Sequence, residues 1–328
     1  MRSAAFCQWL ARNAQALLAV ICCGLPPAIA AELSIAVAKT PLSLPIFVAE
    51  NQGFFREEGL KIQLLPVTGG HLAMKEVLEG RADVGTASDS VLMFNSLIRD
   101  DFVTLGYFVR SPSDLSILAR EETPLTPEAW QGKTIGVVKG SSSEYLMHSW
   151  FLRNGIDPQS VRLLDIKPST MVEALAQKKV AAVSIWEPIA FNIRQQVAGS
   201  TELSSSGMHT LTFHLLTLRE TSRSRAKDLQ AMLRAIDQAE SFIRQNPQRA
   251  QIILQDSLKV DWAFIDWIWP RYHFQLGLDQ ALISSLESQA RWSMENGLTT
   301  LEQVPNYLHF IDSQPMRAVR SDAVSLIE

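Results

Sequence analysis

Two segments of the chain repeat one pattern, and this repeat constrains the fold more than any other feature. Residues 61–85 and 161–183 each start with an apolar run, pass through small residues into an amphipathic stretch, and end in a second apolar run. Each segment therefore predicts a strand, a helix and a parallel strand, which together form a βαβ unit. Two such units predict an α/β protein with two lobes, and α/β proteins bind small ligands in the crevice where parallel strands end.

The first thirty residues differ from the rest of the chain. Two arginines precede an apolar run, residues 14–25, and Ala28-Ile29-Ala30 then supplies the small residues of a cleavage site. This pattern predicts a secretory signal peptide at residues 1–30, cleaved near Ala30. The apolar run is too short for a membrane anchor, which needs about twenty residues. A lipoprotein modified at Cys22 or Cys23 is the other alternative, and the bulky Ile21 disfavours it.

Removal of this peptide would change the charge and the cysteine content. The chain has 30 Lys and Arg against 34 Asp and Glu, and the peptide holds two of the basic residues and none of the acidic ones, which leaves 28 against 34 and a net charge of −6. This acidic balance predicts no nucleic-acid binding. All three cysteines also lie in the first thirty residues. The mature protein would therefore have no disulfide and no thiolate metal site, which suits an oxidising periplasm.

The remaining chain is expected to form two lobes with one inserted into the other. Residues 31–120 form the first part of lobe 1, residues 121–214 form lobe 2, and residues 215–328, mainly helical, complete lobe 1. Such an insertion requires two crossings between the lobes. We place them near two strand-like runs, Leu115–Arg120 and Leu211–Leu218, which flank the inner segment.

Several motifs then carry a family resemblance. Phe47–Ile62 resembles the opening signature of the type-2 periplasmic solute-binding proteins of ABC importers, in the group that binds sulfonates, taurine, nitrate and thiamine precursors. Matches at Glu79–Gly85, Trp130–Val137, Trp186-Glu187-Pro188 and Asn246-Pro247 keep the family order. The resemblance implies a type-2 periplasmic-binding-protein fold with two hinge crossings. It also implies a monomeric periplasmic protein that captures a small molecule, delivers it to an inner-membrane ABC permease, and needs no cofactor or metal.

Turns that follow predicted strands are expected to line the cleft. The candidate ligand-binding residues are Thr40, Leu42, Ser43, Gly70, His71, Ser88 and Asp89 in lobe 1, and Ser141, Ser142, Ser143, Thr170, Trp186 and Glu187 in lobe 2. Small residues let backbone N–H groups approach a ligand, and helix N-termini favour negative charge there. An aromatic side chain after a buried strand is placed to stack on a ligand. These features together predict an oxyanion as the ligand.

Some of these residues have an alternative structural role. Ser141 with Glu144, and Thr170 with Glu173, both match the capping-box pattern of helix N-termini. Such a cap leaves the hydroxyls of Ser142 and Ser143 free, so these two serines are the stronger candidates for ligand contact. Gly70 equally suits a tight turn.

Two acidic candidates leave the ligand's charge open. Glu187 and Asp89 would repel a simple anion unless each pairs with a cation or with an amine of the ligand. The ligand is then a zwitterion or an amine-bearing heterocycle, or else the carboxylates bridge lysines at the rim, Lys39, Lys139 and Lys167.

The sequence favours binding over catalysis. It contains no Gly-x-Ser-x-Gly elbow, no His-Glu-x-x-His motif and no phosphate-binding loop, and its six histidines have no paired metal spacing. The aromatic cluster at residues 262–274 fits a packed helix face. An aliphatic sulfonate or taurine-like zwitterion is the first expectation for the ligand, ahead of a thiamine-precursor pyrimidine and a small inorganic anion. A periplasmic sensory or adaptor role is the alternative to transport.

Overall fold

The two βαβ repeats lie in two separate sheets. The computed structural model describes residues 31–120 and 126–327, so the predicted signal peptide, residues 1–30, lies outside the described residues. In chain order the strands are β1 (Ala31–Ala38), β2 (Leu60–Val67), β3 (Val84–Ser88), β4 (Phe102–Ser111), β5 (Leu115–Arg120), β6 (Thr134–Val137), β7 (Arg162–Asp165), β8 (Ala182–Trp186), β9 (Ser200–Leu203), β10 (Leu211–Leu218), β11 (His273–Asp279) and β12 (Val324–Ser325).

The larger sheet has seven strands in the order β12-β11-β4-β10-β3-β1-β2. In it, β2 and β3 run parallel to β1 on either side. The smaller sheet has the order β7-β6-β8-β5-β9, and here β7 and β8 run parallel to β6 on either side. Each repeat therefore supplies the two strands that flank a central strand, which confirms the prediction of two related α/β units.

Helices cover these sheets. In chain order they are α1 (Leu44–Gln52), α2 (Phe54–Glu57), α3 (Gly70–Leu78), α4 (Asp89–Ser96), α5 (Pro127–Trp130), α6 (Ser142–Arg153), α7 (Met171–Ala176), α8 (Ile189–Gln196), α9 (Arg219–Ser224), α10 (Ala226–Gln245), α11 (Pro247–Leu258), α12 (Trp262–Ile268), α13 (Gln280–Glu295) and α14 (Gln314–Val319). Among the described residues, no helix has both the length and the apolar character that a bilayer span requires.

The helix of the first repeat shows how the layers pack. Helix α3 buries Ala73, Met74 and Val77. It lies so close to β3 that a Cβ on Gly85 would approach the carbonyl oxygen of Ala73 to 2.8 Å. This contact fixes the beginning of α3 at the edge of the sheet where β1, β2 and β3 end.

The chain passes between the sheets twice. It leaves the larger sheet after Ser111 and returns to it at Leu211. The sequence-based boundaries at residues 120 and 214 assign β5 to the first lobe and divide β10, whereas β5 pairs entirely within the smaller sheet and β10 entirely within the larger one. The crossings therefore precede both strands, because each strand is paired along its length with neighbours in a single sheet.

Candidate functional site

A cavity lies between the two sheets, at the ends of their parallel strands. The space between its atoms, which includes part of the opening to solvent, is about 340 Å³. Its lining residues are Thr40, Leu42, Gly69, Gly70, His71, Ser88, Val91, Asp114, Ser141, Ser142, Trp186, Leu211 and Phe213. Eight of the thirteen residues predicted from the sequence are in this lining: Thr40, Leu42, Gly70, His71, Ser88, Ser141, Ser142 and Trp186.

Three helices point their N-termini at this cavity. Gly70 begins α3, Ser88 is the N-cap of α4, and Ser141 is the N-cap of α6. The first N–H groups of a helix have no acceptor within the helix, and its dipole places partial positive charge there. Helices from both lobes thus give the cavity a surface that favours a negatively charged or hydrogen-bond-accepting group.

Serine hydroxyls connect the two lobes across the cavity. The hydroxyl of Ser142, at the start of α6, donates a hydrogen bond of 3.2 Å to the hydroxyl of Ser88. Ser141 donates to the carbonyl of Val138 at 2.6 Å and accepts from the N–H of Ser143 at 3.2 Å. Ser141 therefore caps α6 and lines the cavity at the same time, so its two expected roles are compatible.

Trp186 forms one wall of the cavity at the end of β8. It is 9% exposed, and its ring lies 6.1 Å from that of His71 between centroids. The Nδ1 atom of His71 is buried and has no hydrogen-bond partner among the described residues. Burial lowers the pKa of His71, although Asp165 acts in the opposite direction. A neutral imidazole therefore faces the indole across the cavity.

Asp114 is the functional candidate that the sequence analysis missed. It lies in the first crossing, is 1% exposed and lines the cavity. Its Oδ1 atom accepts a hydrogen bond of 2.5 Å from the hydroxyl of Tyr272, whereas Oδ2 has no partner among the described residues. Burial raises its pKa to about 7, and the charge of Glu187 adds to that rise, while Tyr272 opposes it. No local pattern identifies a single acidic residue between two strand-like runs. Its hydrogen-bond partner Tyr272 is distant along the chain, so their contact cannot be seen in the sequence.

Two of the predicted serines are used inside their own lobes. Ser43 donates to the carbonyl of Ala38 at 2.8 Å and tightens the turn after β1. Ser143 donates to the carbonyl of Ser184 at 2.6 Å and accepts from the N–H of Val138 at 3.0 Å. Both are fully buried and neither lines the cavity. The expectation that the cap on α6 frees the hydroxyl of Ser143 is therefore wrong.

Asp89 faces away from the cavity. Its Oδ1 atom lies 3.3 Å from Nε2 of His209, and its Oδ2 accepts from the amide of Gln289 at 3.0 Å. Burial acts to raise the pKa of Asp89, but His209, His214 and Gln289 outweigh it and hold that pKa below its usual value. Its partners are these groups and not rim lysines.

Glu187 is likewise held by other residues. Its Oε1 atom pairs with Arg194 at 2.8 Å and accepts from the indole N–H of Trp267 at 3.3 Å, while Oε2 accepts from the N–H of Phe191 at 2.8 Å. It is fully buried and absent from the cavity lining. Glu187 therefore neither lines the cavity nor bridges a lysine in this structure.

Thr170 is exposed to solvent at the beginning of α7. Its hydroxyl donates to the carbonyl of Lys167 at 3.1 Å and makes no capping bond to α7. Both expectations for this residue are therefore unmet, since it neither lines the cavity nor caps the helix.

Across the described ranges, no cluster of His, Asp or Glu has the arrangement of a metal site.

Two lobes, an interlobe cavity at strand ends and converging helix N-termini together define the class of periplasmic-binding-protein folds. Within that class, residues 40–250 match the model of the family described as NMT1/THI5 like, and since the match spans more than half of the chain, the chain belongs to this family. This membership confirms the resemblance found in the sequence motifs.

Known proteins similar to the chain agree with this assignment. A "putative binding protein" of Brucella abortus (strain 2308) is 25% identical over 223 residues, which are 67% of this chain and 69% of the relative. The periplasmic aliphatic sulphonate binding protein SsuA from Escherichia coli superposes with a TM-score of 0.72 at 19% identity, covering 86% of this chain and 97% of SsuA. The periplasmic nitrate-binding protein NrtA from Synechocystis PCC 6803 gives 0.71 at 13% identity, covering 89% and 88%. At these identities the two structures confirm the fold. Both are binding proteins, not enzymes, in agreement with the sequence-based prediction.

Proposed function

We propose that the protein is the solute-binding subunit of an ABC importer and captures a small organic anion or zwitterion between its lobes. The observation that carries this proposal is the convergence of α3, α4 and α6, from both lobes, on one cavity. A ligand held there contacts both lobes at once, so its binding energy favours the closed arrangement. The closed pair of lobes then offers the permease a surface that the separated lobes lack.

The location and partners belong to the same proposal. We propose export to the periplasm by the signal peptide, action as a monomer, and docking to a permease in the inner membrane. We propose that one lobe comprises residues 31–111 with 211–327 and the other residues 115–120 with 126–203, a division that the strand pairing supports. The similar structures of SsuA and NrtA, both periplasmic binding proteins, support this assignment.

The first test is a thermal-shift screen of the mature protein after refolding, which removes carried-over ligand. The probes are taurine, ethanesulfonate, nitrate, bicarbonate and aminopyrimidines. A ligand present at a hundred times its dissociation constant adds about 2.7 kcal/mol to the free energy of unfolding, which raises the melting temperature by several degrees. A shift with taurine or ethanesulfonate supports the proposal. A shift with nitrate, bicarbonate or an aminopyrimidine alone, or no shift with any probe, contradicts the proposed ligand class.

Ser142→Ala then tests whether the ligand occupies this cavity. We expect the affinity for a bound anion to fall roughly tenfold, because a hydrogen bond to a charged group is lost. Ser149→Ala is the matched control, since Ser149 lies on the same helix but donates only to the carbonyl of Tyr145 at 2.8 Å. Equal affinities of the two variants, measured by isothermal titration calorimetry, would contradict binding at the N-terminus of α6.

A further inference from the structure

The carboxyl group of Asp114 is incompletely satisfied inside the cavity. Tyr272 supplies one donor to Oδ1, and Oδ2 is buried with no partner among the described residues. A buried acceptor without a donor costs free energy, and the cost is greater for an ionised group. Because Asp114 lines the cavity, a donor group on a bound ligand is placed to supply the missing hydrogen bond.

The charges around the cavity favour a cationic donor. No Lys or Arg is present among the described residues that line it, and burial keeps His71 neutral by lowering its pKa. The nearest acid, Glu187, is already paired with Arg194 at 2.8 Å. Asp114 therefore has no cationic partner of its own in the lining. A positive group on the ligand would compensate its buried charge.

Trp186 adds a second surface for the same group. Strands β5 and β8 pair so that Leu115 lies opposite Trp186, and the carbonyl of Asp114 accepts the N–H of Glu187 at 3.1 Å. Asp114 and Trp186 lie at the ends of these two paired strands, and both residues line the cavity. The face of an indole attracts a cation, so both groups can hold one amine.

We infer that Asp114 is a specificity-determining residue that accepts a hydrogen bond from an amino group of the ligand beside Trp186. This inference rests on the proposed function and makes an amino group, rather than a negative charge, the feature that selects the ligand. A taurine-like zwitterion and an aminopyrimidine share this chemistry. Paired probes distinguish these two sources of the amino group.

The first experiment compares ligands that differ only in the amino group. Taurine is compared with isethionate and ethanesulfonate, and 4-aminopyrimidine with pyrimidine, by isothermal titration calorimetry. We expect one of the two amino compounds to bind at least about thirtyfold more tightly than its analogue without the amino group, because the amino group pairs with a buried charge. Asp114→Asn should remove that preference. Glu240→Gln, a buried carboxyl remote from the cavity, should retain it.

The pH dependence gives a readout that a purely structural role for Asp114 would not produce. The groups that face its carboxyl are Tyr272, Glu187 and, across the cavity, His71. Since the carboxylate is the binding form, the affinity for the amino compound should rise as pH increases through about 7 and then level off. Tyr272→Phe removes a donor to the carboxylate, so the midpoint should move to higher pH.

Several results would overturn the inference. Equal affinities within both pairs would do so, as would an unchanged preference in a folded Asp114→Asn variant. Tighter binding of ethanesulfonate below pH 7 would show that a protonated Asp114 donates to an anion instead. If such anions bind in a manner that depends on Ser142, the proposed function stands and only the inference fails. If no probe binds, both are rejected.

Discussion

At the residue scale, Gly70 shows how close packing positions the site. A Cβ at Gly70 would lie 2.7 Å from the Cα of Ala87 in β3, a backbone atom that cannot move aside as a side chain can. The absence of a side chain therefore lets α3 begin directly against the sheet. The sequence analysis considered ligand contact and a tight turn for Gly70. The structure adds a third role, close packing, which places the N-terminus of α3 at the cavity.

Gly70→Ala should lower both stability and ligand affinity. The inserted methyl group forces the start of α3 away from β3, which costs about 1–3 kcal/mol in a well-packed core. The same shift moves the N–H groups that line the cavity. Gly80→Ala is a suitable control, because nothing lies within 4 Å of its Cβ and only its positive φ of 71° is strained. Calorimetry should show weaker binding for Gly70→Ala alone; wild-type affinity in that variant would contradict the packing argument.

The sequence located the site's residues at strand ends but could not orient their side chains. Ser142 and Ser143 are adjacent in one helix, and only the rotation of α6 against β8 decides that Ser142 faces Ser88 while Ser143 faces Ser184. The same limit applies to the acids. Glu187 and Asp89 follow strands, as expected, yet their side chains turn to Arg194 and His209. Tertiary packing, which local patterns do not encode, fixes each of these directions.

At the scale of elements, α10 carries a buried acid that the site does not use. Glu240 is fully buried, and burial raises its pKa to about 8, with Asp237 adding to the rise and Arg244 and Arg320 opposing it. The folded protein thus holds this proton more tightly than the unfolded chain, whose reference value is 4.5. The resulting stabilisation is complete below about pH 4.5 and is lost as pH rises to about 8.

Glu240→Gln should remove this pH dependence. The free-energy cost of burying an uncharged amide is the same at every pH. Between pH 5 and pH 8 the free energy of unfolding should therefore fall less in the variant than in the wild type, by a few kcal/mol. Urea unfolding at both pH values measures the difference. Glu173→Gln, on the exposed surface, should behave as the wild type. A wild-type slope in Glu240→Gln would show that the carboxyl is not protonated in the folded protein.

Strands with distant partners were the elements hardest to predict. The sequence analysis identified β5 and β10, whose apolar residues are nearly continuous, but expected residues 215–328 to be mainly helical. In the structure, His273–Asp279 forms β11 and pairs with β4, with a register irregularity between Phe274 and Gly277. Two strands so far apart in sequence, one of them irregular, carry little local signal. Helices α10, α11 and α13 lie in this region and agree with the expectation of helix, because the periodic apolar face of a helix is a local signal.

At the scale of the whole molecule, a second contact joins the lobes away from the cavity. Helix α6 of the smaller lobe packs against α13 of the larger one: the rings of His148 and Trp292 lie 5.1 Å apart, as do those of Tyr145 and Trp292. Burial lowers the pKa of His148 to about 4. Protonation of His148 therefore opposes this interface, because separation of the lobes would return the imidazole to water.

Acidification should consequently open the protein. The separated lobes take up a proton near pH 6.5, whereas the closed form resists it until about pH 4, so each pH unit in this window should favour opening about tenfold. Small-angle scattering should show a larger radius of gyration at pH 5 than at pH 7.5. His148→Leu should reduce that expansion, which His71 in the cavity also favours, and the exposed His309→Gln should leave it unchanged. Equal expansion of the wild type and His148→Leu would contradict this role.

The pairing of β5 with β8 has a kinetic consequence for ligand capture. Because Leu115 pairs with Trp186 and the carbonyl of Asp114 accepts the N–H of Glu187, the backbone that carries Asp114 and Trp186 keeps its shape whatever the angle between the lobes. Thr40, Gly70 and Ser88 belong to the other lobe and reach a ligand only as the cleft closes. An incoming solute therefore docks first on the preformed half. Substitutions at Asp114 should change the association rate, whereas substitutions at Ser88 should mainly change how long the solute stays bound.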